Sequence, residues 1–355
     1  TLSPVEVAYQ TWGEPYGGGA NAVLVAHALT GDSHAAGSAG PGHAAGPAGP
    51  GHQQPGWWDA MIGPGRGIDT DRWYVVCPNV LGGCQGTTGP SSDAPDGRPY
   101  GGRFPRITIA DQVAVEAALA DTLGIDRWAA VVGGSMGGMR ALEWAVGQPD
   151  RVETAIVVAC GAAASAEQIA LCSVQIEAIR SDPRFRGGDY YDAAPGDGPH
   201  RGMGLARRIG HLSYRSEPEL ASRFGRESQD GEDPLAGGRY AVESYLDHQA
   251  GKLAHRFDAN SYIVLSEAMN HHDIGRGRGG VAAALSKVEG SVALAGIDSD
   301  RLYPLRLQQE IASLLPSRPE VTVVKSLYGH DGFLIETKAV GAFLRKVLEA
   351  SRIGS

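Results

Sequence analysis

Arg127 to Gln148 reads RWAAVVGGSMGGMRALEWAVGQ. Trp128 to Val132 is a short apolar run of the kind a buried strand shows, and it stops at Gly133-Gly134-Ser135-Met136-Gly137. Helically spaced apolar residues, Met139, Leu142 and Val146, begin at once. A strand, a glycine-tight turn centred on serine and a helix make a nucleophile elbow. The serine of such a turn sits strained at the top of a sheet, and the flanking glycines let the helix cross close to the strand. The Met136 N–H, at the helix start, then points toward whatever the serine attacks. The competing reading is a nucleotide-binding turn. It fails here, because the turn lacks both Gly-x-Gly-x-x-Gly with a later acidic residue and the Gly-Lys-Ser/Thr ending of a P-loop.

The rest of the chain supplies the sheet around that turn. Residues 5–12 alternate as an edge strand does, and Trp12-Gly13-Glu14-Pro15 reads as the turn that follows. Ala22 to His27 (AVLVAH) and Trp73 to Cys77 (WYVVC) are continuous apolar runs expected of central parallel strands. Each ends in a loop, Ala28 to His34 and Pro78 to Cys84, at the carboxyl edge where α/β sheets bind ligands. Residues 107–124 carry a helical period, and Ala155 to Cys160 is a further strand. Alternating strand and helix means a mostly parallel sheet with helices on both faces.

From about Ala163 to residue 285 the character changes to helical stretches rich in Arg, His and Glu, including 204–225 and 239–269. The expected organisation is an α/β-hydrolase core of residues 1–162 and 286–355 with a helical lid, 163–285, inserted in it. Val292 to Ile297 and Val321 to Lys325 restore the strands, with a helix over 307–315 between them and a closing helix over 340–348.

A net charge of −9 over 355 residues excludes a generalised nucleic-acid surface. The 51 glycines and 21 prolines make about a fifth of the chain, which implies many loops. Cys77, Cys84, Cys160 and Cys172 lack any Cys-x-x-Cys spacing and read as reduced thiols. No apolar stretch approaches a membrane span and no signal-peptide pattern is present, so a cytoplasmic protein without membrane partners is expected. The segment 37–56 is low in complexity, with Pro-Gly-His at 41–43 returning at 50–52. His34, His43 and His52 invite a metal reading. A Gly/Pro-rich loop offers no rigid support for ligands, so no metal site is expected.

A serine nucleophile needs a base, and the base needs an acid that fixes its tautomer and stabilises its charged form. On this fold they follow in the order Ser, acid, His. The strand at 292–297 ends in Asp298-Ser299-Asp300, and the strand at 321–325 leads to Gly329-His330-Asp331. His330 is the candidate base, since the other histidines precede the serine or lie in the loop or lid. Asp298 and Asp300 both qualify as the acid; spacing does not choose between them. For the oxyanion hole, the Met136 N–H is to be joined by one from Ala28 to Thr30, with Leu29 the candidate.

Several stretches together resemble the homoserine O-acetyltransferase family: Ala28-Leu29-Thr30-Gly31-Asp32-Ser33-His34, the elbow through Trp144, Arg256 to Tyr262, and His272-Asp273 with Gly275 to Arg278. Ser299-Asp300-Arg301-Leu302-Tyr303-Pro304 and Tyr328-Gly329-His330-Asp331 complete the resemblance, which spans nearly the whole chain apart from 37–54. It implies that Asp300 is the acid. It implies ping-pong transfer of acetyl from acetyl-CoA, through an acetyl-Ser135 intermediate, to the hydroxyl of L-homoserine, a step toward methionine. Acetyl-CoA is then a co-substrate, and no bound cofactor is implied.

The resemblance further assigns the homoserine carboxylate to Arg207 and its ammonium to Asp331, with Tyr214 lining the pocket; Arg208 is the alternative cation. It also implies a homodimer joined through the lid. Relatives that use succinyl-CoA tend to carry arginine two residues after the catalytic aspartate. Leu302 stands there and leaves an extra carboxylate unpaired, which favours acetyl. Arg301 has the reach to pair one, so succinyl transfer to homoserine or serine is the alternative, as is an esterase or thioesterase on the same scaffold. The arginines at 201, 207, 208, 215, 223 and 226 also suit the phosphates of CoA.

Overall fold

Alternation along each strand divides the interior into two layers. The computed structural model describes residues 2–38, 55–194 and 196–351; His43 and His52 lie outside them. Strands β1 (Tyr9–Trp12), β2 (Ala22–Ala26), β5 (Tyr74–Pro78), β6 (Trp128–Gly134), β7 (Val152–Val158), β8 (Ser291–Ile297) and β9 (Val321–Val324) form one sheet in the order β1-β5-β2-β6-β7-β8-β9. Only the edge strand β1 runs antiparallel. Two short strands, β3 (Ile62–Gly63) and β4 (Ile68–Asp69), pair separately.

Side chains two apart on a strand share a face. Leu24, Val131, Val157 and Leu294 pack with α1 (Ile109–Thr122) and α2 (Met136–Gly147), while Val25, Val132, Ile156 and Ala295 pack with α11 (Thr337–Ala350) on the other side. Both faces are covered, which is why these strands are apolar throughout rather than alternating.

The order Ala22–His27, Trp73–Cys77, elbow, Ala155–Cys160, 292–297, 321–325 is realised, with small shifts of boundary. The strand expected over 5–12 is confined to Tyr9–Trp12, and the one expected over 155–160 begins at Val152 and ends at Val158. Between β7 and β8 the chain is helical: α3 (Ala166–Arg180), α4 (His200–Tyr214), α5 (Glu217–Phe224), α6 (Ala241–Ala254), α7 (Ala259–Asn270) and α8 (Val281–Leu285). The stretch 204–225 is therefore two helices, because Ser216 caps α5 by accepting the Glu219 N–H. Likewise 239–269 breaks where Asp258 caps α7 through the Ser261 N–H. After β8 come α9 (Leu305–Leu314) and the short α10 (Gly332–Ile335).

Candidate active site

The elbow between β6 and α2 has no room for side chains two residues to either side of the serine. A Cβ on Gly137 would lie 2.0 Å from the Ala26 carbonyl oxygen, and one on Gly133 would lie 2.3 Å from the Gly137 backbone. Ser135 itself takes φ 57° and ψ −124°, a left-handed position that costs a non-glycine residue about 1–3 kcal/mol. Its N–H donates to Val158 O at 3.0 Å and its carbonyl accepts the Met139 N–H at 3.1 Å, so strand and helix together hold the strained turn.

Two loops at the carboxyl ends of β8 and β9 converge on this serine. His330 lies in a single helical turn, Gly329–Asp331, after β9. The Ser135 hydroxyl faces His330 Nε2 at 2.8 Å, and His330 Nδ1–H donates to Asp300 Oδ2 at 2.6 Å. The remaining Asp300 oxygen accepts the N–H groups of Leu302 and Tyr303, both at 2.8 Å. Asp298 is turned elsewhere: it accepts the Ser326 N–H at 2.9 Å and pairs with Lys325 at 3.4 Å. Spacing left the two aspartates equal; geometry brings only Asp300 to the imidazole. Ser135, Asp300 and His330 are all buried. Burial pulls the His330 pKa down, but the charge and hydrogen bond of Asp300 outweigh it, and the net shift is upward from 6.5.

The Ala28–Thr30 loop lies on the same pocket as Ser135. His27 fixes it from beneath. Its Nε2 accepts the Val80 N–H at 3.0 Å, so the ring proton is on Nδ1 and donates to Ala28 O at 2.8 Å. Burial, followed by the nearby Arg140 charge, drives the His27 pKa down to about 3, which keeps the ring neutral. Arg140, fully buried on α2, donates to the His27 carbonyl and pairs with Glu116 at 2.6 Å; Glu116 also accepts the Trp144 indole N–H at 2.8 Å. Leu29 and Met136 thus sit on segments anchored to one buried network.

The space in the pocket, open solvent at its mouth included, is about 730 Å³. Arg207 and Tyr214 from α4, Asp331, Leu302 and Phe333 line it together with Ser135 and His330. The Arg207 guanidinium lies over the Tyr214 ring at 5.6 Å and has no carboxylate in ion-pair range among the described residues. Arg208, one step round the helix, is engaged with Asp247 at 3.3 Å, so Arg207 is the cation that reaches the pocket. Asp331 is held by Arg215 at 3.3 Å, and Arg215 by Glu219 at 2.6 Å. Burial raises the Asp331 pKa, opposed by His330, Arg207 and Arg215. Arg301 donates to the Leu212 carbonyl.

A family model of the alpha/beta hydrolase fold matches residues 21–337. The homoserine O-acetyltransferase of Thermobifida fusca is 60% identical over 347 residues, covering 98% of this chain and 89% of that protein. The chain belongs to the homoserine O-acetyltransferase family. The family member from Clavibacter michiganensis is likewise 60% identical, over 98% of this chain and 88% of its own length. In three dimensions, homoserine O-acetyltransferase from Bacillus anthracis superposes with a TM-score of 0.86 at 30% identity, covering 99% and 94% of the two chains. Esterase E22 follows at 0.84 and 28%, covering 97% and 94%.

Within this family member, several pocket residues carried no signal in the sequence reading. Gln168, Leu171, Cys172 and Gln175 line the pocket from α3, a helix that reading did not single out. Its start was nevertheless written in the sequence as Ser165-x-x-Gln168, a capping box. Arg215, which holds Asp331 and is itself held by Glu219, stands out in the sequence only among the arginines suited to the phosphates of CoA and as one end of an i,i+4 pair. His272 donates to Gly161 O at 3.0 Å and Asp273 accepts the Gly275 N–H at 2.9 Å, so both serve the scaffold. Among the described residues no group of three or more His, Cys, Asp or Glu is arranged to hold a metal, and no helix is long and apolar enough to cross a membrane.

Proposed function

We propose that this chain transfers acetyl from acetyl-CoA to the hydroxyl of L-homoserine through an acetyl-Ser135 intermediate. The observation that carries the reading is the meeting, in one pocket, of the Ser135–His330–Asp300 chain with a cation, Arg207, that has no ion-pair partner among the described residues, and a carboxylate, Asp331. Such a pair suits a zwitterionic amino acid.

In the first half-reaction Ser135 Oγ attacks the thioester carbonyl carbon while His330 Nε2 takes the hydroxyl proton, and Asp300 stabilises the imidazolium. The oxyanion rests on the N–H groups of Met136 and Leu29. Collapse breaks the C–S bond, and His330 returns the proton to sulfur. In the second half-reaction His330 takes the homoserine hydroxyl proton, the alkoxide attacks the acetyl carbon, and Ser135 leaves with the proton. Arg207 holds the carboxylate of homoserine and Asp331 its ammonium, with Tyr214 lining the pocket beneath Arg207. These steps need no metal or resident cofactor.

Residues 163–285 act as a lid that shields the acetyl-serine from water, over a core of 1–162 and 286–355. A homodimer joined through these helices belongs to the proposal, supported by exposed Ile169 and Val174 on α3 and Leu205 on α4. So does a cytoplasmic location, supported by four unpaired cysteines.

The likeness to esterase E22 keeps hydrolysis as the second reading, since water and homoserine compete for the same acyl-enzyme. Succinyl transfer is disfavoured by Leu302 in the pocket wall and by Arg301 being occupied with Leu212. Thiol release from acetyl-CoA and from succinyl-CoA, each with and without L-homoserine, separates the three. Homoserine-dependent release from acetyl-CoA is expected. Equal release without homoserine identifies a thioesterase, and preference for succinyl-CoA overturns the argument from Leu302.

A further inference from the structure

Gln168 is buried in the first turn of α3, and its amide can sit only one way round. Oε1 accepts the Ser165 N–H at 2.9 Å, so the opposite end is the NH₂ group, which donates to the Leu302 carbonyl at 2.7 Å. That carbonyl belongs to the same peptide unit as the Tyr303 N–H, which donates to Asp300 Oδ1 at 2.8 Å. Asp300 Oδ2 is thereby left for His330 Nδ1. One peptide unit therefore connects a side-chain amide of the helical segment with the carboxylate that orients the imidazole.

Hydrogen bonds in series polarise one another: a donor on the Leu302 oxygen makes the N–H of that peptide a better donor to Asp300. The far end of the relay is fixed as well. The Ala164 N–H donates to His272 O at 2.9 Å and the Ile274 N–H to Ala162 O at 3.1 Å, tying the residues before α3 to the loop after α7.

We propose that Gln168 is a positioning residue for the Asp300–His330 pair, acting through the Leu302–Tyr303 peptide. The inference rests on the acyl-serine reading above. Gln168 also caps α3, and a residue that only capped the helix would affect folding without affecting proton transfer. The substitution Gln168→Glu separates the two roles. Glutamate at this position still accepts the Ser165 N–H and suits a helix N-terminus, but its second oxygen confronts the Leu302 carbonyl when ionised and donates to it when protonated.

The experiment is the pre-steady-state burst of thiol from acetyl-CoA without homoserine, measured across pH in the full chain for wild type, Gln168→Glu, Gln168→Leu and Ser135→Ala, with melting temperatures alongside. Gln168→Glu is expected to melt like wild type and to lose about 10- to 100-fold in burst rate at alkaline pH, the cost of a misplaced acid–base pair. Its rate relative to wild type should recover as pH falls and the introduced carboxyl protonates. Gln168→Leu should be slow at every pH. Wild-type burst rates in both variants, or a pH-independent loss in Gln168→Glu with a lowered melting temperature, would overturn the inference. A burst that survives Ser135→Ala overturns the acyl-serine reading itself, whereas a burst lost only there overturns the role of Gln168 alone.

Discussion

Arg207→Ala should cripple the second half-reaction and leave the first intact. The guanidinium has no ion-pair partner among the described residues, so its removal breaks no salt bridge; it takes away the stack on Tyr214 and a positive charge that favours the ionised form of Asp331. What the proposal expects to be lost is the contact with the homoserine carboxylate. Hydrogen bonds to charged groups contribute about 1.5–3 kcal/mol, which corresponds to about 10- to 150-fold in kcat/KM for homoserine. Arg207 is half-buried, so screening places the expected loss toward the lower end. The assay is steady-state thiol release with homoserine varied at saturating acetyl-CoA, together with the acylation burst. Arg208→Ala is the control, because Arg208 is already engaged with Asp247. An unchanged homoserine dependence in Arg207→Ala would remove Arg207 from the acceptor site. So would an equal loss in the burst, or a larger loss in Arg208→Ala.

The base must be neutral to take the serine proton, and the His330 pKa is raised above 6.5 by Asp300 against the opposing effect of burial. Acylation should therefore fall as pH drops through that raised value, with a midpoint above 6.5 in a pH–rate profile of kcat/KM for acetyl-CoA. Asp300→Asn should lower kcat about 10⁴-fold, as loss of the acid does in serine triads, while Asp298→Asn stays near wild type; equal losses in thiol release would undo the assignment. Asp331→Ala should raise the homoserine concentration for half-saturation with the burst unchanged, and loss of the burst as well would remove Asp331 from the acceptor site. Glu116→Ala leaves the fully buried Arg140 without its carboxylate and Trp144 without its acceptor, so urea unfolding should show a loss of about 3–5 kcal/mol.

The strand segments and the elbow were legible because parallel strands covered on both faces are apolar along their whole length, and because Gly133 and Gly137 sit where no Cβ fits. The helix α3 was not, since its burial mixes Gln168 and Gln175 with Ile176 and Ile179 while leaving Ile169 and Val174 exposed, which blurs the apolar stripe. The choice between Asp298 and Asp300 depends on which carboxylate the loop turns inward, and two residues of spacing carry no record of that. Arg207 and Arg208 differ by one step of helix rotation, enough to send one to the pocket and the other to Asp247. Arg140 and Glu116 read as ordinary helix charges, because only the packing of α1 on α2 buries them together.

Whether an acetyl group waits on Ser135 for homoserine is decided by intact-protein mass spectrometry after brief exposure to acetyl-CoA, followed by a homoserine chase. One added acetyl group is expected, mapped to Ser135, absent in Ser135→Ala and discharged by homoserine as O-acetylhomoserine much faster than by water. A protein that never gains the acetyl group while still forming product, or one whose acetyl group is lost to water as fast as to homoserine, would contradict the proposal.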